Sequence, residues 1–246
     1  MNKEDSIEVK ALVKKYGSRE VLRIPHWQVK KGRITGIIGP SGAGKSTLLR
    51  LINLLELPTA GQIRYDGTAV PKSATAKLAL QRRMTMVFQK PALLNLTVFD
   101  NIAFGLRARH YSQRDVVQRV QRMLAQIGMD LQGQQKAKTL SGGEAQRVAF
   151  ARAFVLEPEV LLLDEATANL DPANVEMLET LIRTLHQQTG TTVIMVTHNL
   201  FQARRLTDDT LFLNQGRLVE SGATEQLFTR PQAEETKAFV DGRMIY

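Results

Sequence analysis

"RITGIIGPSGAGKSTLLRLINLL", Arg33–Leu55, reads in three pieces. Ile34–Ile38 is a short apolar run, the mark of a strand buried on both faces. Gly39–Gly44 carries three glycines in six residues. Ser46–Leu55 then has the periodicity of a helix. The middle piece fits G-x-x-x-x-G-K-[ST] at Gly39–Ser46, with a strand before it and a helix after it. Glycines let the backbone wrap a phosphate so that successive N–H groups point inward, and the helix N-terminus adds a favourable dipole. Lys45 is placed to reach the β- and γ-phosphates, and Ser46 to ligate Mg²⁺. The predicted cradle runs through Gly39, Pro40, Ser41, Gly42, Ala43, Gly44, Lys45, Ser46 and Thr47. A chance glycine turn before a helix is the bland alternative, and the complete order of strand, loop, Lys-Ser and helix speaks against it.

Upstream of this unit, "SIEVKALVKKYG" and "REVLRIPHWQVKKG" read as short strands separated by turns. Downstream, "GQIRYDG" and "TMVFQ" (Thr85–Gln89) are strands. From Pro91 to about Glu157 the strand signal fades and helical patterns dominate. After Pro158 strands return in "VLLLD", "TTVIMVTH" and a hairpin "TLFLNQGRLVESG" that turns at Asn214–Gly216. Asn174–Gln188 is helical in pattern. Buried strands alternating with helices predict an α/β fold with a parallel sheet covered on both faces. The helical block 91–157 is an insertion into a core formed by 1–90 and 158–246, all within a single domain, 1–246. The tail Thr224–Tyr246 reads as one or two short helices, and no added C-terminal regulatory domain is expected.

The 246 residues are enough to bury a sizeable core. The longest apolar runs are strand-sized, far below the ~20 residues of a membrane span. "MNKEDSIEVK" is charged and lacks an apolar centre, so no signal peptide is expected. Cysteine is absent, which removes disulfides and thiolate metal sites. Net charge is +9, which raises nucleic acid, anionic membrane and polyanionic ligands as partners. The densest patch, "RARHYSQRDVVQRVQR" (Arg107–Arg122), has an apolar face from Val116 to Ile127 with most arginines off it. Ser112 with Asp115 resembles a capping box, and Gly128 a helix stop. A helix with a solvated basic face accounts for the segment without nucleic acid.

Four further features carry chemistry. "VLLLDE" ends a buried strand in two carboxylates. Asp164 would face the phosphate loop across the sheet edge, where ligands of open α/β sheets sit, and hold Mg²⁺. Glu165 is placed to accept a proton from an attacking water. His198 and Gln89 each close a strand, His198 within reach of a γ-phosphate and Gln89 of Mg²⁺ or the lytic water. Alone, His198 reads more readily as a satisfied structural residue, and Gln89 as an unremarkable strand end. Tyr16 can stack on adenine or serve as a half-buried strand residue, and its own sequence leaves both open. "LSGGEAQ" (Leu140–Gln146) is a second glycine corner without a lysine, a poor lone phosphate cradle. Ser141, the N–H groups of Gly142 and Gly143 and the helix dipole suit it to cap a phosphate held elsewhere.

Tyr16, "GPSGAGKST", Gln89, "LSGGEAQ", "VLLLDE", "ANLD" (Ala168–Asp171) and His198 stand in the order of the ATP-binding-cassette ATPases. The chain resembles that family from Tyr16 to the final hairpin. The resemblance implies a P-loop NTPase of RecA-like core with an N-terminal antiparallel β subdomain and an inserted α-helical subdomain. It implies ATP and Mg²⁺ as cofactors, Tyr16 as the adenine-stacking aromatic and Glu165 as the general base. It implies His198 as the γ-phosphate switch, Gln89 as the glutamine that senses Mg²⁺, and Asp171 near the nucleotide. Ser46, Gln89 and Asp164 form the expected metal set. Ser141, Gly142 and Gly143 would meet the ATP of a second copy, so that a head-to-tail pair completes two sites. Two positions depart from the family pattern: Ala166 stands where proline is usual, and Asn199 where aspartate commonly follows the histidine.

"MTMVFQKPALLNLTVFDNIAFGLR" (Met84–Arg107) is similar to the region of bacterial importers that receives a permease helix. It most resembles tungstate and phosphate importers. The resemblance therefore implies a peripheral subunit on the cytoplasmic face of the inner membrane, bound to integral permease subunits and served indirectly by a solute-binding protein. No nucleic-acid partner is expected. Importers of other small solutes such as polar amino acids, and a soluble ATPase of cofactor assembly, are the alternatives.

Overall fold

The computed structural model describes residues 5–168 and 170–244. Asn169, within "ANLD", lies outside the described residues, as do 1–4 and 245–246. Strands β7 (Val160–Asp164) and β8 (Thr192–Val196) show why the apolar runs are unbroken. Leu161, Leu163, Val193 and Met195 face one core, while Val160, Leu162, Ile194 and Val196 face another. Each strand is buried on both sides, so no polar face alternates with the apolar one.

The remaining strands are β1 (Asp5–Tyr16), β2 (Arg19–Lys30), β3 (Ile34–Ile38), β4 (Ala60–Tyr65), β5 (Thr68–Ala69), β6 (Met84–Val87), β9 (Asp209–Asn214) and β10 (Arg217–Ala223). All join one sheet, in the order β5-β4-β1-β2-β10-β9-β3-β8-β7-β6. The run β9-β3-β8-β7-β6 is parallel. The run β5-β4-β1-β2 is antiparallel. The two halves meet where β10 lies beside β2, with Arg217 opposite Arg23 as the one registered pair. The β9–β10 turn holds Gln215 and Gly216 at φ 46° and 75°, the doubly left-handed form that two-residue hairpins favour.

The first core lies under α3 (Val98–Ala108), α4 (Gln113–Gln126), α5 (Gly142–Phe154) and α6 (Pro172–Thr189). The second packs α1 (Lys45–Ile52) and α2 (Ala74–Gln81) with β1 and β2. A third, smaller cluster joins Ile38 and Phe212 to Ala203 of α7 (Leu200–Leu206), Leu227 of α8 (Thr224–Thr229) and Phe239 of α9 (Glu234–Val240). Among the described residues of 91–157 the regular elements are all helical. In α4, Ser112 Oγ accepts the Asp115 N–H at 3.1 Å and donates to the Asp115 carboxylate at 2.7 Å, which is half a capping box. Three features differ from the sequence reading. β1 and β2 are long, at twelve residues each. α2 and β5 are additional elements. β6 and β8 stop two residues before Gln89 and His198.

Candidate active site

The turn between β3 and α1 is shaped by what surrounds it. A Cβ on Gly39, at φ 148°, would lie 2.0 Å from the Leu213 carbonyl oxygen of β9, so no other residue fits there. Gly44, at φ 98°, is the left-handed N-cap of α1. Lys45 is buried, and its Nζ donates to the carbonyls of Gly39 and Pro40, each at 2.8 Å. The ammonium thus lies against the loop that the glycines fold. Burial holds its pKa below the ordinary lysine value, opposed by the charges of Glu165 and Asp164. A glycine-shaped backbone cradle with a buried cation fits a polyphosphate.

Asp164, the last residue of β7, is also buried and accepts the Ser46 hydroxyl proton at 2.8 Å. Burial pushes its pKa above the usual carboxylate value, and the Ser46 hydrogen bond opposes that rise. Ser46 and Asp164 therefore stand together as oxygen donors, as a hard cation such as Mg²⁺ requires. Glu165 follows at φ 47°, a left-handed backbone that costs a non-glycine residue roughly 1–2 kcal/mol. Strand register brings its neighbours in. Val87 pairs with Leu163, and Asp164 pairs with Val196. The chain just past each strand end therefore emerges at one sheet edge. Gln89 Nε2 reaches Glu165 Oε2 at 3.4 Å, and His198 Nδ1 lies 3.1 Å from the same oxygen.

Tyr16 ends β1 and is 47% exposed, a setting open to a stacking partner and equally that of a half-buried strand residue. Its phenol donates to Glu56 Oε2 at 2.5 Å, and this bond is the main cause of its raised pKa. Lys14 pairs with Glu56 at 2.9 Å and stands 4.9 Å from the Tyr16 ring centroid. Ser141 caps α5. It gives both its N–H (2.8 Å) and its hydroxyl proton (2.7 Å) to Glu144 Oε2, and its Oγ accepts the Glu144 N–H at 3.4 Å. That is a full capping box. Among the described residues, no hydrogen bond or ion pair joins this corner to the Gly39–Thr47 loop. Asp171 caps α6 through the Asn174 N–H at 3.0 Å and accepts the Asn174 amide at 2.6 Å. A Cβ on Gly143 would come within 2.6 Å of that same amide, so the second glycine corner is seated against the Asp171 cap.

Three groups escaped the sequence reading. Glu144 was legible in principle, since Ser141-x-x-Glu144 has the spacing of a capping box. Glu56 was not, because only the fold brings it to Tyr16. Nor was the partly buried chain in which Gln202 bridges Thr167 (2.9 Å) and Glu179 (3.0 Å), with the exposed Arg205 held bidentate on Glu179. Both departures from the family pattern have plain settings. Asn199 caps α7, accepting the Gln202 N–H at 3.1 Å as an aspartate would. Ala166 is buried in the first core.

Beyond Gln89, a cavity of about 200 Å³ opens between β6, α3 and α5. Phe88 and Phe104 stand exposed at it. Arg152 crosses beside it to donate to the Ala92 carbonyl at 2.8 Å. No helix of the described residues is long and apolar enough to cross a membrane.

The family described as ABC transporter matches residues 22–168. The chain belongs to the ABC transporter family. As a member it binds ATP with Mg²⁺ and hydrolyses ATP. It is 40% identical over 87% of its length to the tungstate uptake system ATP-binding protein TupC of Peptoclostridium acidaminophilum, covering 97% of that protein. It is 40% identical over 98% of its length to the phosphate import ATP-binding protein PstB 1 of Yersinia pestis, covering 93% of it. It is 41% identical over 86% of its length to the methionine import ATP-binding protein MetN of Pasteurella multocida, but spans only 62% of that longer chain. Among solved ABC structures, cbiO1 of Clostridium perfringens, part of the transporter complex cbiONQ, superposes with a TM-score of 0.85 at 29% identity, with 92% of each chain covered. The dimeric post-hydrolysis state of the ATP-binding cassette MJ0796, bound to ADP and Pi, gives 0.81 at 29% identity, over 89% of this chain and 98% of that one.

Proposed function

We propose that the chain is the ATP-hydrolysing subunit of an importer for a small oxyanion such as tungstate, molybdate or phosphate. It acts as a head-to-tail pair docked on separate permease subunits at the cytoplasmic face of the membrane, with a solute-binding protein delivering the solute. The observation that carries the ATPase half is the convergence of Gln89 and His198 on one oxygen of Glu165, beside the Ser46–Asp164 pair and buried Lys45. Gly39–Thr47 would wrap the phosphates, with Lys45 on the β- and γ-phosphates. Ser46, Asp164 and Gln89 would hold Mg²⁺, which neutralises phosphate charge when bound. Glu165 takes the proton of the attacking water, and His198, hydrogen-bonded to it, orients that carboxylate and reaches the γ-phosphate. Tyr16, with its exposed ring, stacks on adenine. Ser141, Gly142 and Gly143 cap the partner's nucleotide, with Asp171 supporting that corner through Asn174. The aromatic-lined cavity beyond Gln89 suits an apolar segment of a permease.

The tungstate and phosphate relatives support the oxyanion reading. The methionine relative, at similar identity, supports a second one. Placing Glu165→Gln at the chromosomal gene decides between them. Loss of tungstate, molybdate or phosphate accumulation, with methionine uptake intact, is expected. Selective loss of methionine uptake would favour the second reading. Unchanged uptake of all four would remove the importer role for these solutes.

A further inference from the structure

Leu54 lies just beyond α1 at φ 56°, a left-handed conformation in which a branched side chain is strained. Such strain persists where surrounding structure enforces it, and it marks candidate functional positions. Here Leu51 and Leu54, both buried, line an open groove of about 440 Å³ between the end of α1, β4 and the start of α2. Leu57, Pro58, Ile63 and Val70 continue the apolar lining. Leu57 is 62% exposed, an unusual setting for a large aliphatic side chain in a concave site. Lys72 and Lys77 also line the groove. Among the described residues neither ammonium has an ion pair or a hydrogen bond. Carboxylates on the adjoining turns are already engaged, Glu56 by Lys14 and Tyr16, and Asp66 by Arg83.

An apolar concavity of this volume with two uncompensated cations suits a ligand with the opposite pattern. We infer that this groove binds an amphipathic organic anion, its aliphatic body against Leu51, Leu54 and Leu57 and its anionic end met by Lys72 and Lys77. The turn from Leu54 to Pro58 also carries Glu56, which holds the Tyr16 phenol. Occupancy of the groove therefore bears on the ring assigned to adenine, a link that rests on the proposed function.

Octanoate is the probe, with acetate and octyltrimethylammonium as controls for the apolar body and the charge. Leucine methyl NMR on the full chain without nucleotide should show saturable shifts at Leu51, Leu54 and Leu57. Both controls should bind at least about tenfold more weakly. The Lys72→Gln/Lys77→Gln variant should unfold at the same temperature and weaken octanoate by at least about tenfold. Shifts that never saturate, equal binding of the cationic amphiphile, or undiminished affinity in the double variant overturns the site. So does binding to phosphatidylglycerol vesicles without binding of free octanoate, which marks a lipid-facing patch instead. Saturating octanoate should also change KM for ATP in the natural chain but not in the double variant. An unchanged KM with octanoate bound overturns the link to Tyr16 alone. Because binding is read without ATP, an error in the proposed ATPase roles leaves this result intact.

Discussion

Glu165 combines a left-handed backbone with two polar neighbours on a single carboxylate oxygen. Replacing it with Gln keeps the shape and removes the base. Glu165→Gln should retain ATP binding while steady-state phosphate release falls ~10²–10⁴-fold, the usual worth of general base catalysis. Lys45→Ala should lose nucleotide binding as well, measured by equilibrium titration, because Lys45 is the one buried cation among the described residues of the loop. Near-normal turnover in Glu165→Gln would remove that residue from the base role. Asn199→Asp should change unfolding by less than ~0.5 kcal/mol, since both side chains cap a helix well. At this scale the sequence was most legible where chemistry sits at the ends of parallel strands. Glu165 could be placed because it directly follows a buried strand, whereas Gln89 and His198, read as strand ends, lie two residues past β6 and β8 and reach Glu165 because parallel register aligns the three strand ends. Glu56 could not, because its meeting with Tyr16 depends on how α1 and β1 lie across forty residues of chain.

Among the elements, α5 has the most complete start, a reciprocal box of Ser141 and Glu144. Ser141→Ala should cost ~1 kcal/mol, lowering the unfolding temperature by about 2–4 °C for a chain of this size. Calorimetry on the nucleotide-free protein checks this, and no shift would mean that the box is dispensable. The hydrogen bonds from Ser141 hold the Glu144 carboxyl below its ordinary pKa of 4.5. The sign follows from that direction. A depressed carboxylate contributes stability above its unfolded value, and the contribution fades as pH falls through the lower folded value. The stability gap between the natural chain and Glu144→Gln should therefore be largest near neutrality and shrink below pH 4.5. A gap independent of pH would exclude this source. Helices α4 and α6 were legible through their apolar stripes. α2 was not, because Leu80 is its one buried residue and so it shows no stripe to read. β5, at two residues, is too short to carry a pattern.

For the whole molecule, the doubly covered parallel sheet was legible from its unbroken apolar strands, while its continuity with the antiparallel half was not. That continuity rests on one pairing between distant segments, to which no local pattern points. The proposed pair is tested by sedimentation. Glu165→Gln with ATP and Mg²⁺ should run as a dimer, and with ADP as a monomer, because the γ-phosphate is the group that both glycine corners share. A single species in both nucleotides would remove the nucleotide-sandwich model. Cysteine is absent, so Ser41→Cys in one tagged copy and Ser141→Cys in another should cross-link with ATP through a short thiol reagent. Cross-linking only within a double-cysteine chain would place both corners in one site. The +9 charge should bind duplex DNA no more tightly than the non-specific ~10⁻⁴–10⁻⁶ M, and submicromolar, sequence-selective binding would overturn the transporter reading. The join between the sheet halves has a mechanical consequence. Arg217 and Arg23 form its one registered pair, and the Gly216 carbonyl and N–H tie the same line to Arg23 (2.7 Å) and Ala43 (3.1 Å). The seam between the sheet halves is thus thinly bonded and fastened at the hairpin tip beside the phosphate loop. If nucleotide draws the Tyr16 side of the sheet toward that loop, amide exchange at Arg23 and Gly216 should slow when ATP binds.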